Sequence, residues 1–222
     1  YKRQDKNKRT DTSNYLRENM WIDIFNSSFF ISKNQDIQIY HKSKLVAGVE
    51  QMPYKKFLEP ILGNVLLDMG GSVLTRGKQN ERTVFSLDNE RKIAPIICYE
   101  SVYGEYVTEY VRKGANILAI ITNDGWWSES QGYKQHLSYA RIRAIETRRN
   151  ILRSANTGSS AVINFNGEIL KKLDYGKRGF INATAETINK LTFYVKYGDF
   201  IFRFSLFFFI IILLFSLSKK KN

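Results

Sequence analysis

The sequence predicts an α/β fold, a sheet covered by helices, followed by one transmembrane helix. Three observations predict it. Apolar runs of strand length at 93–98, 117–121 and 161–165 alternate with segments whose apolar residues recur at helical spacing. Glycine-containing stops fall between these segments. Near the end, Phe200 to Ser218 is a stretch of nineteen residues whose only charge is Arg203. A composition of 43% hydrophobic and 25% charged residues excludes a wholly disordered chain and a polytopic membrane protein.

Read in order, residues 1–18 form a mobile charged segment. From Trp21 the pattern is strand-like, with 29–31, then Ile37 and Ile39 alternating across a turn at 33–36. Residues 42–50 read as a loop leaving that strand. Phe57, Leu58, Ile61, Leu62, Val65 and Leu66 recur at helical spacing, and Gly70-Gly71 ends the segment. Residues 83–87 read as a strand, and 93–98 as a buried strand with Pro95 near its start. Tyr103, Val107, Tyr110 and Val111 share one helical face that Gly114 closes. After the 117–121 strand, Leu137, Ala140, Ala144 and Ile145 mark a second helix over 133–149. Strands at 151–154 and 161–165 then lead into Asn166-Gly167, a hairpin turn signal. No internal repeat is present.

The terminal apolar stretch would be about 28 Å long as a helix, close to the ~30 Å hydrocarbon core of a bilayer; the alternative is a buried core helix. Arg203 near one end can snorkel to the interface. Lys219, Lys220 and Lys221 favour a cytoplasmic tail, which leaves everything before about residue 199 outside. Export of that part needs a signal or earlier spans. Tyr1 to Asn14, with five Lys or Arg and no apolar run, offers neither. With Tyr1 as the first residue, the expectation is a C-terminal piece of a longer chain.

The net charge of +13 points to an anionic partner, nucleic acid or a phospholipid surface. No recognised nucleic-acid module is visible, and Arg141, Arg143, Arg148 and Arg149 read as a solvated helix face. One cysteine forms no internal disulfide, and two histidines argue against a metal site.

Chemistry concentrates at a few places. Cys98 ends an apolar strand just before a helix, where free backbone N–H groups can depress a thiol pKa and hold an oxyanion; the alternative is an inert core cysteine. Lys42 follows a strand and could stabilise negative charge beside a thiolate, or belong to a solvated basic loop. Glu50 and Glu100 could be site carboxylates, with surface exposure as the default. Asn123-Asp124-Gly125-Trp126-Trp127 follows the 117–121 strand, so its aromatics would line a crevice, sit in the headgroup layer or pack in the core. His136, on a helix, reads as a structural hydrogen-bonder rather than a base.

Several ordered motifs carry a family resemblance. They are Tyr40-His41-Lys42-Ser43-Lys44-Leu45-Val46 with Glu50, Ile97-Cys98-Tyr99-Glu100, the Asn123–Trp127 run, Gln135-His136-Leu137, residues 140–146 and Arg153-Ser154-Ala155-Asn156-Thr157-Gly158. Together with the terminal span, the chain from about residue 21 resembles the nitrilase (carbon–nitrogen hydrolase) superfamily. Within it, the chain resembles the apolipoprotein N-acyltransferases of bacterial membranes. The resemblance implies a nitrilase-like α-β-β-α sandwich, incomplete at its N-terminus, over 1–198, a transmembrane helix over 199–218 and a basic cytoplasmic tail over 219–222. It implies Cys98 as nucleophile and Lys42 as triad lysine, with Glu50, Tyr99, Glu100 and Trp126 supporting the site, and no cofactor or metal. The implied reaction moves an acyl chain from a membrane phospholipid, through a Cys98 thioester, to the α-amine of a diacylglyceryl-cysteine lipoprotein. The implied location is the bacterial inner membrane with the catalytic domain on the periplasmic side, and no nucleic acid is involved. Two departures stand out. Ala47 takes a place where many relatives have proline, and the triad glutamate expected upstream in a Pro-Glu context has no counterpart, Glu18 being the only glutamate before Tyr40. This chain alone is therefore expected to be inactive. The alternatives are a nitrilase-type amidase acting on a small amide and a catalytically inactive membrane-surface module.

Overall fold

The computed structural model describes residues 2–4, 10, 12–17, 20–32, 36–51 and 75–219. The first strands are β1 (Lys2–Gln4), β2 (Asn14–Arg17) and β3 (Met20–Phe25), and β3 pairs antiparallel with both others. This corrects the expectation of a mobile charged segment over 1–18. Side-chain hydrophobicity reports burial, whereas the open edge of β3 recruits neighbours through backbone groups whatever their charge. Asn14 adds a long-range tie: its Nδ2 donates to the Thr75 carbonyl at 2.9 Å, and Thr75 N donates to its Oδ1 at 3.1 Å. Next come β4 (Ser27–Ile31) and β5 (Ile37–His41), an antiparallel hairpin as the alternation predicts. Residues 33–35 of its turn, and the helix expected around Phe57 to Leu66, lie outside the described residues.

The strand β6 (Arg76–Gly77) runs parallel to β3, and the expected 83–87 strand contracts to β7 (Phe85–Ser86). Then follow β8 (Lys92–Ile97), α1 (Gly104–Arg112), β9 (Ile117–Asn123), α2 (Gln131–Thr147), β10 (Asn150–Asn156), β11 (Ser160–Ile163) and β12 (Ile169–Leu173). They form one six-stranded sheet in the order β12-β11-β10-β9-β8-β7. The middle strands β8, β9 and β10 are parallel and adjacent in chain order. Right-handed crossovers that always step the same way put both helices on the same face. Alternation then decides which residues are covered. Ala94, Ile96, Leu118, Ile120, Ile151, Ala161 and Ile163 are buried with Tyr106, Val107, Tyr110, Val111, Leu137, Ala140 and Ala144 of the helices. Ile121 and Leu152, pointing the other way, are exposed.

The helix ends follow local chemistry. Gly114, at φ +96, takes a backbone conformation that costs other residues more, and it closes α1. Ser130 caps α2, its Oγ accepting from Gly132 N at 3.3 Å, so the helix begins two residues before the predicted start. Arg148 turns left-handed at φ +51, so Arg149 leaves the helix and is buried. The solvated-face reading holds for the exposed Arg141 and Arg148 and is corrected for the buried Arg143 and Arg149. Arg149 donates to the carbonyls of Ala115, Thr147 and Lys190, and Arg143 donates to Val102 O and Glu146. Burial lowers the Arg149 pKa to about 10.

A short helix α3 (Phe193–Tyr197) leads into α4 (Phe200–Lys219), in which Phe200 is half-buried and every residue from 201 to 219 is exposed. Among the described residues, α4 is the helix long and apolar enough to cross a membrane. Asp199 caps it, accepting from Phe202 N at 3.1 Å. Arg203, in its first turn, donates to the Tyr197 carbonyl at 2.7 Å and forms an ion pair with Glu105 of α1. The span is thus tied to the helix that follows the Cys98 turn.

Candidate active site

Parallel strands β8, β9 and β10 all end at one edge of the sheet, so the residues after them meet there. These are Cys98, Asp124 and the Thr157-Gly158 pair. Cys98 begins a 3-10 turn over Cys98–Val102 with φ +52, a left-handed conformation that costs a non-glycine residue about 1–3 kcal/mol. The turn is held from three sides. Ile97 N donates to Glu100 Oε2 at 2.9 Å, Ser101 Oγ donates to the Cys98 carbonyl at 2.8 Å, and His136 Nε2 lies 3.3 Å from that same carbonyl. The cysteine is half-buried at the rim of the core, neither sealed inside it nor free on the surface.

Lys42 is buried, not solvated as its loop position alone suggested. Its backbone N donates to Asn26 O at 2.8 Å, and its Nζ donates to Glu50 Oε2 at 2.6 Å. Glu50, also buried rather than exposed, takes two further donors: Val46 N at 2.9 Å and Asn26 Nδ2 at 3.0 Å. Burial pushes the Glu50 carboxyl up, but Lys42 and these donors outweigh it and hold the pKa below the ordinary value.

Glu100 joins the lysine loop to the cysteine turn. It is fully buried, which overturns the surface default. Its Oε1 accepts from the hydroxyls of Tyr40 and Tyr106, both at 2.7 Å, and from Ser43 N and Lys44 N at 2.8 and 3.1 Å. Its Oε2 takes Ile97 N as described. Burial first, and the Glu100 charge second, raise both phenols, Tyr106 to about 12, so both remain protonated donors.

A second buried cluster lies behind the turn. His136 Nδ1 lies 3.0 Å from Asp124 Oδ1, and Arg153 Nη2 donates to Asp124 Oδ2 at 2.7 Å. Burial raises the Asp124 pKa, but His136 and Arg153 more than reverse this and leave it lowered. Gly158 is required beside it by space: a Cβ there would lie 2.5 Å from Asp124 Cβ and 2.6 Å from its carboxyl carbon. Trp127 packs edge-on against His136 with centroids 5.2 Å apart, whereas Trp126 is 62% exposed. Tyr99 is half-buried and stacks edge-on with Tyr103, over which Lys44 Nζ sits at 4.8 Å. Glu18 is outside the described residues.

Sequence reasoning named Cys98, Lys42, Glu50 and Glu100 but not the partners that hold them. Ser43 and Arg153 stand in the motifs that carry the resemblance without a role of their own, and Tyr106 and Ser101 are not singled out. The available signal was an Arg in a strand whose neighbours are apolar, since such a charge must find a buried partner. Among the described residues, no three His, Cys, Asp or Glu side chains converge as a metal would need.

Residues 14–187 match the model of the carbon–nitrogen hydrolase family. A relative from Wigglesworthia glossinidia brevipalpis, named apolipoprotein N-acyltransferase, is 37% identical over 173 residues, 76% of this chain and 32% of that protein. One of the same name from Chlorobaculum tepidum is 35% identical over 167 residues, 73% of this chain and 31% of that protein. The chain thus spans about a third of the length of these curated relatives. Among solved structures, a glutamine-dependent NAD+ synthetase from Acinetobacter baumannii superposes with a TM-score of 0.51 at 16% identity, covering 75% of this chain and 29% of that one. An amidase from Nesterenkonia sp. gives 0.50 at 15% identity, covering 81% and 60%. These two likenesses speak to the fold alone.

Proposed function

Because the chain belongs to the carbon–nitrogen hydrolase family, we propose that it is the C-terminal part of a membrane enzyme that N-acylates lipoproteins, taking the acyl chain from a phospholipid. The observation that carries this reading is a physical tether. Cys98 stands at the carboxyl edge of the sheet in a strained turn, and Glu105, seven positions later, is ion-paired with Arg203 in the first turn of the apolar helix α4. A nucleophile attached this closely to a membrane span suits an ester that lies in a bilayer. The names of the relatives support lipoprotein N-acylation in the same direction.

In this proposal the Cys98 thiol gives its proton to a general base supplied by the part of the protein upstream of this chain. The thiolate attacks the ester carbonyl carbon, and the ammonium of Lys42, anchored by Glu50, stabilises the oxyanion that forms. The C–O bond breaks, the lysophospholipid leaves with the proton, and a thioester remains on sulfur. The amine of a diacylglyceryl-cysteine then attacks the thioester, the C–S bond breaks, and the amine's proton returns to the thiolate. Glu100 keeps the Lys42 loop and the Cys98 turn in register. Tyr99 and Trp126 line the approach to the sulfur. The reaction runs on the periplasmic side of the bacterial inner membrane, with the lysine tail in the cytoplasm.

The test uses the full-length protein in phospholipid vesicles, with the thioester on Cys98 followed by mass spectrometry and lipoprotein acylation by product mass. Cys98→Ala should abolish the thioester and lower acylation by more than about 10³-fold. Normal turnover in Cys98→Ala would refute the proposal, and release of ammonia from small amides in place of acyl transfer would make the protein an amidase.

A further inference from the structure

Behind the cysteine turn lies a sealed polar cluster to which the proposed acyl-transfer steps give no part. Four polar side chains from four elements are sealed there: Ser101 at 1% exposure, His136 at 2%, Arg153 at 3% and Asp124 at 0%. They are chained in one direction. Arg153 and His136 each contact Asp124, at 2.7 and 3.0 Å, and the far ring nitrogen of His136 faces Ser101 Oγ at 3.0 Å and the Cys98 carbonyl at 3.3 Å. Ser101 Oγ donates to the same carbonyl. The chain therefore ends on the backbone of the one residue in the turn whose φ is left-handed. Arg153 also donates to the Ser159 carbonyl, and the edge of Trp127 lies against the imidazole. The ring thus has its direction set on both sides.

We propose that His136 is a positioning residue for acyl transfer, aiming the Cys98 sulfur by holding the Cys98 carbonyl, with Asp124 and Arg153 fixing its ring. This rests on Cys98 being the nucleophile. A carbonyl held at two points fixes the peptide plane, and with it the direction in which Cβ and Sγ leave the chain. Removing one of the two points lets the turn relax toward a right-handed conformation and swings the sulfur off its line of attack. A misplacement of about 1 Å at a reacting atom can cost about 10²-fold in rate. The loss falls on the chemical step, because no group of this cluster meets the lipid.

The experiment compares wild type, His136→Leu and His136→Gln in the full-length protein, with phosphatidylethanolamine vesicles as acyl donor. Thioester formation on Cys98 is timed at saturating and sub-saturating vesicle concentrations, and thermal midpoints are recorded. Expected is a fall of about 10²-fold in the saturated rate for His136→Leu, with the half-saturating vesicle concentration within threefold of wild type. His136→Gln, which can return a polar atom to the Cys98 carbonyl, should recover about tenfold of that loss and remain about tenfold below wild type. If His136→Leu does not fold, a Gln variant with a wild-type midpoint and a rate down by at least about threefold upholds the proposal. A saturated rate within threefold of wild type in His136→Leu, or in a Gln variant that alone folds, would overturn it. So would rates that fall only in step with the thermal midpoints, which would make the cluster a support of the fold. A wild-type protein that forms no thioester would instead sink the reading of Cys98, and this proposal with it.

Discussion

Glu100→Gln changes one oxygen to an amide nitrogen and leaves the shape almost untouched, yet the structure makes it a severe substitution. Five donors converge on this carboxylate: the hydroxyls of Tyr40 and Tyr106 and the backbone N–H groups of Ser43, Lys44 and Ile97. A glutamine oxygen can serve the four donors at Oε1, but its NH₂ then faces the N–H of Ile97. That leaves a buried donor unsatisfied, at about 1–3 kcal/mol. The remaining bonds also lose their charged acceptor. Hydrogen bonds to charged groups contribute about 1.5–3 kcal/mol against about 0.5–1.5 for neutral ones, so the weakening adds about 2 kcal/mol once non-additivity is allowed for. The sum is about 3–5 kcal/mol, a shift of about 6–20 °C in the midpoint of a domain of this size. Thermal unfolding in detergent micelles, followed by tryptophan fluorescence, measures it. Tyr40→Phe and Tyr106→Phe each remove one donor and should cost about 1–2 kcal/mol. A Glu100→Gln midpoint within about 3 °C of wild type would refute the idea that this carboxylate holds the lysine loop against the cysteine turn.

Two further predictions come from the same neighbourhood. The Glu50 pKa is lowered on folding, so its contribution to stability is complete above its ordinary value of 4.5 and is lost as the pH falls through the lower folded value. Glu50→Gln should therefore be less stable at neutral pH and show a flatter acid-unfolding curve below pH 4.5, measured by urea midpoints across the range; a wild-type slope would contradict this. Gly158→Ala drives a methyl into an Asp124 held by His136 and Arg153, and should cost about 3 kcal/mol in a urea titration.

Much of this fold is legible in the sequence, and the part that is not has a common cause. The parallel strands and α1 announce themselves because burial on one or both faces writes an apolar period into consecutive residues, and Gly114 stops the helix where its φ of +96 is needed. The span is legible for the same reason. In contrast, β1 and β2 pair with β3 through the backbone, and the charge-rich sequence around them carries no apolar period to report it. The site is half legible. Cys98 at the end of an apolar strand points to itself, but the burial of Lys42, Glu50 and Glu100 does not. A charge is buried only with its partner, and these partners are distant in sequence: Ser43 N lies 57 positions from Glu100, and Arg153 lies 29 from Asp124. Local pattern cannot report a compensation made across the fold.

That separation has a consequence for how the site is assembled. Lys42 and Glu50 come from the loop after the β4–β5 hairpin, and Cys98 from the end of β8, so the two segments are related only by contacts across the fold. The join is made by Glu100, two residues past the cysteine, whose carboxylate binds the two backbone N–H groups immediately after Lys42. Backbone contacts of this kind are insensitive to the side chains at 43 and 44. What the join demands is the carboxylate and the shape of the loop, and Glu50 fixes that shape from inside by taking Val46 N and Lys42 Nζ together. The two glutamates divide the work. Glu50 sets where the ammonium points within its loop, and Glu100 sets where that loop stands against the cysteine. Loss of either should therefore disturb the same loop by different routes: Glu50→Gln by weakening its hold on Nζ and on the loop backbone at Val46, Glu100→Gln by loosening the loop from the cysteine turn.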